Sequence, residues 1–223
     1  MLKAVIFDLD GTLVDSAPDL TLATNHVLES EGLAPVSGAQ VRAMVGHGAR
    51  MLLRRGFAAH GVTLEGERLE QLYARFVAYY AENIAVETRP FPGVVALLER
   101  CRAEGLKIGI CTNKLEGLSV KLIGQLGLAG HFDAIVGADT TAAAKPDPLP
   151  YFETLRQMGV DGASIMVGDS ETDVKTARAA GVPVIGVSFG YTPQPVASFD
   201  PDHVVDHFDQ IWPILAERMP FAK

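Results

Sequence analysis

Ala4-Val5-Ile6-Phe7-Asp8-Leu9-Asp10-Gly11-Thr12 is an apolar run that ends in two carboxylates, a glycine and a hydroxyl. Four apolar residues bounded by a turn signal read as a buried parallel strand. Residues two apart in extended chain share a face, so Asp8 and Asp10 can converge. Two neighbouring carboxylates repel and raise each other's pKa, whereas a divalent cation keeps both ionised. Gly11 permits a tight turn or a close ligand approach. The plainer reading, an ordinary Asp-Gly turn after a strand, applies to the dipeptide but leaves Asp8 unexplained.

Outward from this strand the chain changes rhythm twice. Ser16, with Pro18 close behind, marks a helix start, with Ser16 or Ala17 at the cap. Leu20, Ala23, Val27 and Leu28 fall on one face of a helix over 18–31 that Gly32 ends. A second helix starts at Ser37 and is interrupted or joined at Gly46-His47-Gly48. A third, over about 64–83, carries Leu69, Leu72, Tyr73, Phe76 and Tyr80 at helical spacing. Residues 16–87 therefore read as all-helical. Arg89-Pro90-Phe91-Pro92-Gly93 is a boundary. Beyond it helices at 93–103, 115–126, 148–158 and 172–180 alternate with strands at 107–111, 134–136, 164–167 and 184–187. A short strand at 203–205 and a helix near 208–217 follow. The pattern predicts an α/β core, residues 1–15 and 88–223, built on an open parallel sheet. The helical insertion, 16–87, would project from the sheet's C-terminal edge, where open α/β sheets bind ligands, and would act as a lid.

The chain has 223 residues, 48% of them hydrophobic, enough for a core and a smaller second unit. A formal net charge of −8 argues against nucleic acid or an anionic membrane surface as partner. Cys101 and Cys111 are too few for a disulfide scaffold and read as reduced, buried thiols. The N-terminus runs straight into a strand without a signal segment, and no apolar run reaches membrane-spanning length. A cytoplasmic enzyme, monomeric or homodimeric, is the expectation.

Three more sites fall at strand ends. Strand 107–111 is followed by Thr112-Asn113-Lys114, where a hydroxyl and backbone N–H groups can meet a phosphate, or simply cap a helix. Lys145, within Ala144-Lys145-Pro146-Asp147-Pro148, is a point charge on a proline-stiffened turn. Strand 164–167 ends at Gly168-Asp169-Ser170-Glu171-Thr172-Asp173. There Asp169 offers a third carboxylate, and Ser170 with Asp173 has the spacing of a capping pair. Oxygen ligands and water suit Mg²⁺.

The order Asp-x-Asp-Gly-Thr, Thr, Lys, Gly-Asp-x-x-x-Asp resembles the four motifs of the haloacid-dehalogenase-like phosphatases, and 16–87 resembles that family's type-one cap. The resemblance implies a Rossmann-like sheet with helices on both faces. It implies Asp8 as nucleophile forming an aspartyl phosphate, Asp10 as acid and base, and Thr112, Asn113 and Lys145 on the phosphate. Mg²⁺ would sit among Asp8, the Asp10 carbonyl and Asp169, with Asp173 shaping its surroundings. The presence of Asp10 disfavours a carbon–halogen substrate. Leu9-Asp10-Gly11-Thr12-Leu13-Val14-Asp15-Ser16-Ala17-Pro18-Asp19, with Val45-Gly46-His47-Gly48-Ala49, Thr112-Asn113-Lys114 and Lys145-Pro146-Asp147-Pro148, is similar to bacterial phosphoglycolate phosphatases. That implies 2-phosphoglycolate, with Gly46, His47 and Arg50 near its carboxylate and Arg54 or Arg55 as alternatives. Sugar-phosphate phosphatases and β-phosphoglucomutase-like mutases share the core motifs. A receiver-like signalling domain would gather similar residues but has no need of Asp10 or of a lid.

Overall fold

The computed structural model describes residues 1–219; residues 220–223, the end of the expected core segment, lie outside the described residues. Among the described residues, six parallel strands form one sheet in the order β5-β4-β1-β6-β7-β8. These are β1 (Leu2–Phe7), β4 (Lys107–Cys111), β5 (Ala134–Val136), β6 (Ala163–Gly168), β7 (Val184–Val187) and β8 (His203–Val205). The strand that carries Asp8 is central. Its register aligns Val5 with Ile108 on one side and Ile165 on the other.

Burial on both faces explains the unbroken apolar runs. Val5, Phe7, Ile108, Ile110, Ile165 and Val167 pack into one apolar cluster, with residues of α5 (Val94–Ala103), α6 (Glu116–Gln125) and α9 (Ile211–Ala216). Ala4, Ile6, Cys111 and Met166 join the opposite cluster, beneath α7 (Leu149–Met158) and α8 (Glu171–Ala180). The alternation follows from the two-residue period of a strand. Both cysteines are free and buried, and burial pushes the Cys111 thiol up to about 12.

Between β1 and β4 lie four helices: α1 (Ala17–Ser30), α2 (Gly38–Met44), α3 (Ala49–Ala58) and α4 (Gly66–Glu82). Ser37 starts α2 with a capping box to Gln40, and the Gly46-His47-Gly48 break separates α2 from α3. Their inner faces, including Leu28, Phe57, Phe76 and Tyr80, are buried and continuous with the first cluster.

Two short elements escape the helical reading of the flanks. Val14–Asp15 (β2) and Arg89–Pro90 (β3) pair antiparallel as a two-residue ribbon where the chain leaves and re-enters the sheet. Such strands are too short to leave a periodic signal. Asp19 fixes the same crossing. It is fully buried, and its carboxylate accepts from the Glu87 and Thr88 N–H groups at 3.0 and 2.9 Å and from the Thr88 hydroxyl at 2.7 Å. Ser16 precedes α1, yet its hydroxyl makes no cap bond and goes elsewhere.

Candidate active site

Asp8, Asp10, Thr112, Asn113 and Lys145 line one cavity of about 480 Å³ at the C-terminal edge of the sheet. Gly46, His47, Gly48 and Arg50 line it from the helical side, with Phe76 and Val77 of α4. Asp169 faces an adjoining hollow of about 240 Å³, shared by Asp10, His47, Arg55 and Tyr191. Strands β1, β4 and β6 each deliver their following residue to the same edge, so residues more than 100 apart in sequence meet there.

Asp8, Asp169 and Asp173 each bring a carboxylate oxygen within 4.8 Å of the others. Lys145 partly offsets this charge. Its Nζ is 2.6 Å from Asp173 Oδ1 and 2.9 Å from Asp8 Oδ1. The second contact is an ion pair without hydrogen-bond geometry, and Asp8 Oδ1 is left buried with no hydrogen-bond partner. Burial pushes the Asp8 carboxyl up to about 6, against the pull of Lys145. Burial raises Asp169 well above the ordinary range, and Asp173 and Asp8 add to it. Burial alone would depress Lys145; Asp173 and Asp8 turn the net direction upward, so it stays charged.

The orphaned Asp8 oxygen beside the Asp169 carboxylate fits the oxygen donors that a hard divalent cation takes. Three glycines keep the space around it clear. A Cβ on Gly11 would lie 2.6 Å from Asp169 Oδ2, one on Gly190 2.1 Å from Asp169 Cβ, and one on Gly168 2.4 Å from Asp173 Cβ. Thr12 donates to Asp169 Oδ1 at 3.1 Å, and the Tyr191 N–H donates to Oδ2 at 2.7 Å. Asp173 Oδ2 accepts from the Ser170 N–H and hydroxyl at 3.1 and 2.6 Å. The Ser170–Asp173 pair thus starts helix α8 and holds Lys145 as well.

Asp10 stands apart from the other three. The Ser16 hydroxyl donates to it at 2.6 Å, and Lys114 Nζ lies 2.9 Å from both of its oxygens.

The haloacid dehalogenase-like hydrolase profile matches residues 5–187, most of the chain, including Asp8, Asp10, Thr112, Lys145, Asp169 and Asp173. The chain belongs to the haloacid dehalogenase-like hydrolases. It is 46% identical to the phosphoglycolate phosphatase of Mesorhizobium japonicum over 216 residues, covering 96% of this chain and 95% of that protein. It is 47% identical to the phosphoglycolate phosphatase of Rhodospirillum rubrum, over 99% and 93%. The crystal structure of a predicted phosphoglycolate phosphatase from Haemophilus somnus superposes with a TM-score of 0.89 at 31% identity, covering 96% of this chain and 98% of that one. Kinship this deep makes the hydrolase a phosphatase.

Several of this hydrolase's residues hold positions that the sequence does not announce. Arg50 lines the cavity but is half-exposed. Its guanidinium grips Glu70 at 2.8–3.2 Å and lies 3.8 Å from the centre of the Tyr73 ring. Asn113 spends its amide on the carbonyls of Gly46 and Lys145, at 3.2 and 3.1 Å, tying β4's loop to both neighbours. Partial burial, and after it the charge of Arg55, lower the His47 imidazole below its ordinary range. Arg55 itself donates to the Met44 carbonyl at 2.9 Å. Tyr191, in the loop after β7, donates its hydroxyl to Asp15 at 2.5 Å and accepts from the Ala17 N–H at 2.9 Å. Asp15 also pairs with Arg42 of α2 at 2.8 Å. Glycine spacing and a Tyr at a loop end are the only traces of this network in the sequence.

Proposed function

We propose that this phosphatase hydrolyses 2-phosphoglycolate through an aspartyl phosphate on Asp8, with Mg²⁺. The observation that carries the reading is the meeting of Asp8, Asp10, Thr112 and Lys145 in one cavity, in a chain nearly half identical to phosphoglycolate phosphatases. Asp8 attacks phosphorus in line and expels the glycolate oxygen. Asp10, anchored by Ser16 and Lys114, gives that oxygen a proton, then takes one from the water that attacks phosphorus. Phosphate leaves and Asp8 is regenerated. Thr112, Lys145 and the Asn113 segment hold the equatorial oxygens as negative charge shifts. Asp173 positions Lys145.

Asp8, Asp169 and the Asp10 carbonyl would hold Mg²⁺, with Asp173 shaping the outer shell. When bound, the ion supplies charge neutralisation between carboxylate and phosphate. Residues 16–87 serve as a cap domain over a core of 1–15 and 88–223, with Gly46, His47 and Arg50 bounding the leaving-group side. No helix among the described residues is long and apolar enough to cross a membrane, which suits an enzyme that takes a small dissolved metabolite.

Phosphate release from a panel of small esters, with Mg²⁺ and with EDTA, tests the reading. Mg²⁺-dependent preference for 2-phosphoglycolate, lost in Asp8→Asn, is expected. Better turnover of a sugar phosphate would keep the chemistry and discard the substrate. The cavity of about 480 Å³, which has room for an ester larger than a two-carbon one, gives that second outcome a physical basis. Phosphate retained on the sugar would identify a mutase.

A further inference from the structure

We infer that Lys114 is the residue that recognises the substrate's carboxylate, a role that rests on 2-phosphoglycolate being the substrate. Among the described residues lining the cavity, the fixed cations are Lys114, Lys145 and Arg50. Lys145 is committed to Asp8 and Asp173, on the side where phosphorus is attacked. Arg50 is satisfied by both oxygens of Glu70 and is half-exposed, so a carboxylate there would compete with an existing pair and with water. Lys114 differs from both. Its side chain is 5% exposed, and it sits beside Asp10, on the leaving-group side.

Only one methylene separates the ester oxygen of 2-phosphoglycolate from its carboxylate carbon. When that oxygen meets Asp10, the carboxylate falls next to whatever neighbours Asp10 on the cavity wall. That neighbour is Lys114, 2.9 Å from both Asp10 oxygens. Its position is fixed from the helical side by the Tyr80 hydroxyl of α4, which accepts from Nζ at 2.8 Å. An ammonium has three N–H donors. Two meet the Asp10 oxygens and one the Tyr80 hydroxyl, but Asp10 Oδ1 is also served by the Ser16 hydroxyl, so the N–H facing it can turn to the substrate without leaving that oxygen unpaired. A lysine buried this deeply gains far more from an added anion than a solvated one does. The same contact engages a residue of the helical insertion, so a substrate carboxylate would be read jointly by core and helices.

The test compares kcat/KM on 2-phosphoglycolate and on ethyl phosphate, which replaces the carboxylate by a methyl group, for the natural protein, Lys114→Gln and Tyr80→Phe. Lys114→Gln also weakens the anchoring of Asp10, so both esters slow. The ratio between them is the readout, and it is expected to collapse by roughly 100-fold, as for loss of one partner in a buried charge contact. Tyr80→Phe keeps the charge but frees it, and is expected to lower the ratio by about threefold to tenfold, as for one lost hydrogen bond. It decides the matter if Lys114→Gln does not fold. Equal slowing of both esters in the variants overturns the inference alone and leaves Lys114 as a positioning residue for Asp10. Equal turnover of both esters by the natural protein overturns the substrate reading and this inference with it.

Discussion

Gly190→Ala is the sharpest test of the site's geometry, because the disturbance is a single methyl group that adds no charge and no hydrogen-bonding atom. Its Cβ would stand 2.1 Å from Asp169 Cβ and 2.4 Å from Oδ2. Non-bonded carbons settle at about 3.5–4.0 Å, so something must yield by more than about 1 Å. Asp169 has nowhere to go. Thr12 and the Tyr191 N–H hold its two oxygens, and Gly11 already lies against Oδ2. Either the 188–192 loop moves and carries the Tyr191 N–H away, or the carboxylate turns out of the cluster. Overpacking costs about 1–3 kcal/mol in stability, and a misplacement of about 1 Å at a reacting centre costs about 100-fold in rate. The assay is phosphate release as a function of Mg²⁺ concentration, alongside thermal unfolding. A fall in kcat/KM of about 100-fold and a rightward shift of the Mg²⁺ midpoint are expected. Gly124→Ala, on α6 with nothing within 4 Å, is the control and should be neutral or stabilising by up to about 1 kcal/mol. If Gly190→Ala matches the natural protein within twofold in both rate and midpoint, Asp169 is not a working part of the site.

Other perturbations separate the remaining residues. Ser16→Ala removes a 2.6 Å bond to Asp10 but no helix cap; a rate loss of about tenfold with a stability loss of only about 1 kcal/mol is expected, and a large drop in melting temperature at full activity would reverse the assignment. Arg50→Ala breaks an exposed pair with Glu70, so 2-phosphoglycolate and an aryl phosphate should slow alike and by less than about threefold; selective loss on the first would return the carboxylate to Arg50. Stability without a divalent cation should fall as pH rises. Asp8 is pushed from 3.8 up to about 6 by burial, so between those values the folded chain keeps a proton that the unfolded chain has released. The resulting stabilisation is fully present below about 4 and lost through about 6, amounting to about 3 kcal/mol at most. Melting in EDTA from pH 5 to 7.5 should show the decline, and Mg²⁺ should restore the loss. A flat profile in EDTA, or the same slope in Asp8→Asn, would count against it.

The parts legible in the sequence share one property: they sit directly after apolar strands. Asp8, Thr112 and Asp169 follow β1, β4 and β6, and a strand's direction alone sends all three to the same edge. Lys145 was marked by its prolines. What the sequence conceals is whatever depends on how the chain folds back on itself, near or far. Ser16 looks like a helix cap because the Asp10 that takes its hydroxyl is folded back beside it. Tyr80 has the spacing of a core residue and is one, with only its hydroxyl reaching Lys114. Lys114 itself resembles any lysine that opens a helix until α4 is laid over it. The Tyr191 N–H is bound to Asp169 and Gly190 lies against it, about twenty residues away on a different strand's end. Arg50 shows the converse case, since its attractive position in the sequence hides Glu70, twenty residues on, which holds it.

The central place of β1 also bears on how the chain is made. This strand leaves the ribosome well before its neighbours, which pair with it from Lys107 and Ala163. Until those are synthesised, both of its edges are open, and Ala4-Val5-Ile6-Phe7 is a short, apolar, β-prone stretch of the kind that pairs with other chains. Asp8 and Asp10 close that stretch with two negative charges, as gatekeepers do beside unavoidable apolar strands. The carboxylates to which the proposed chemistry falls would thus guard the nascent chain before there is any site for them to serve.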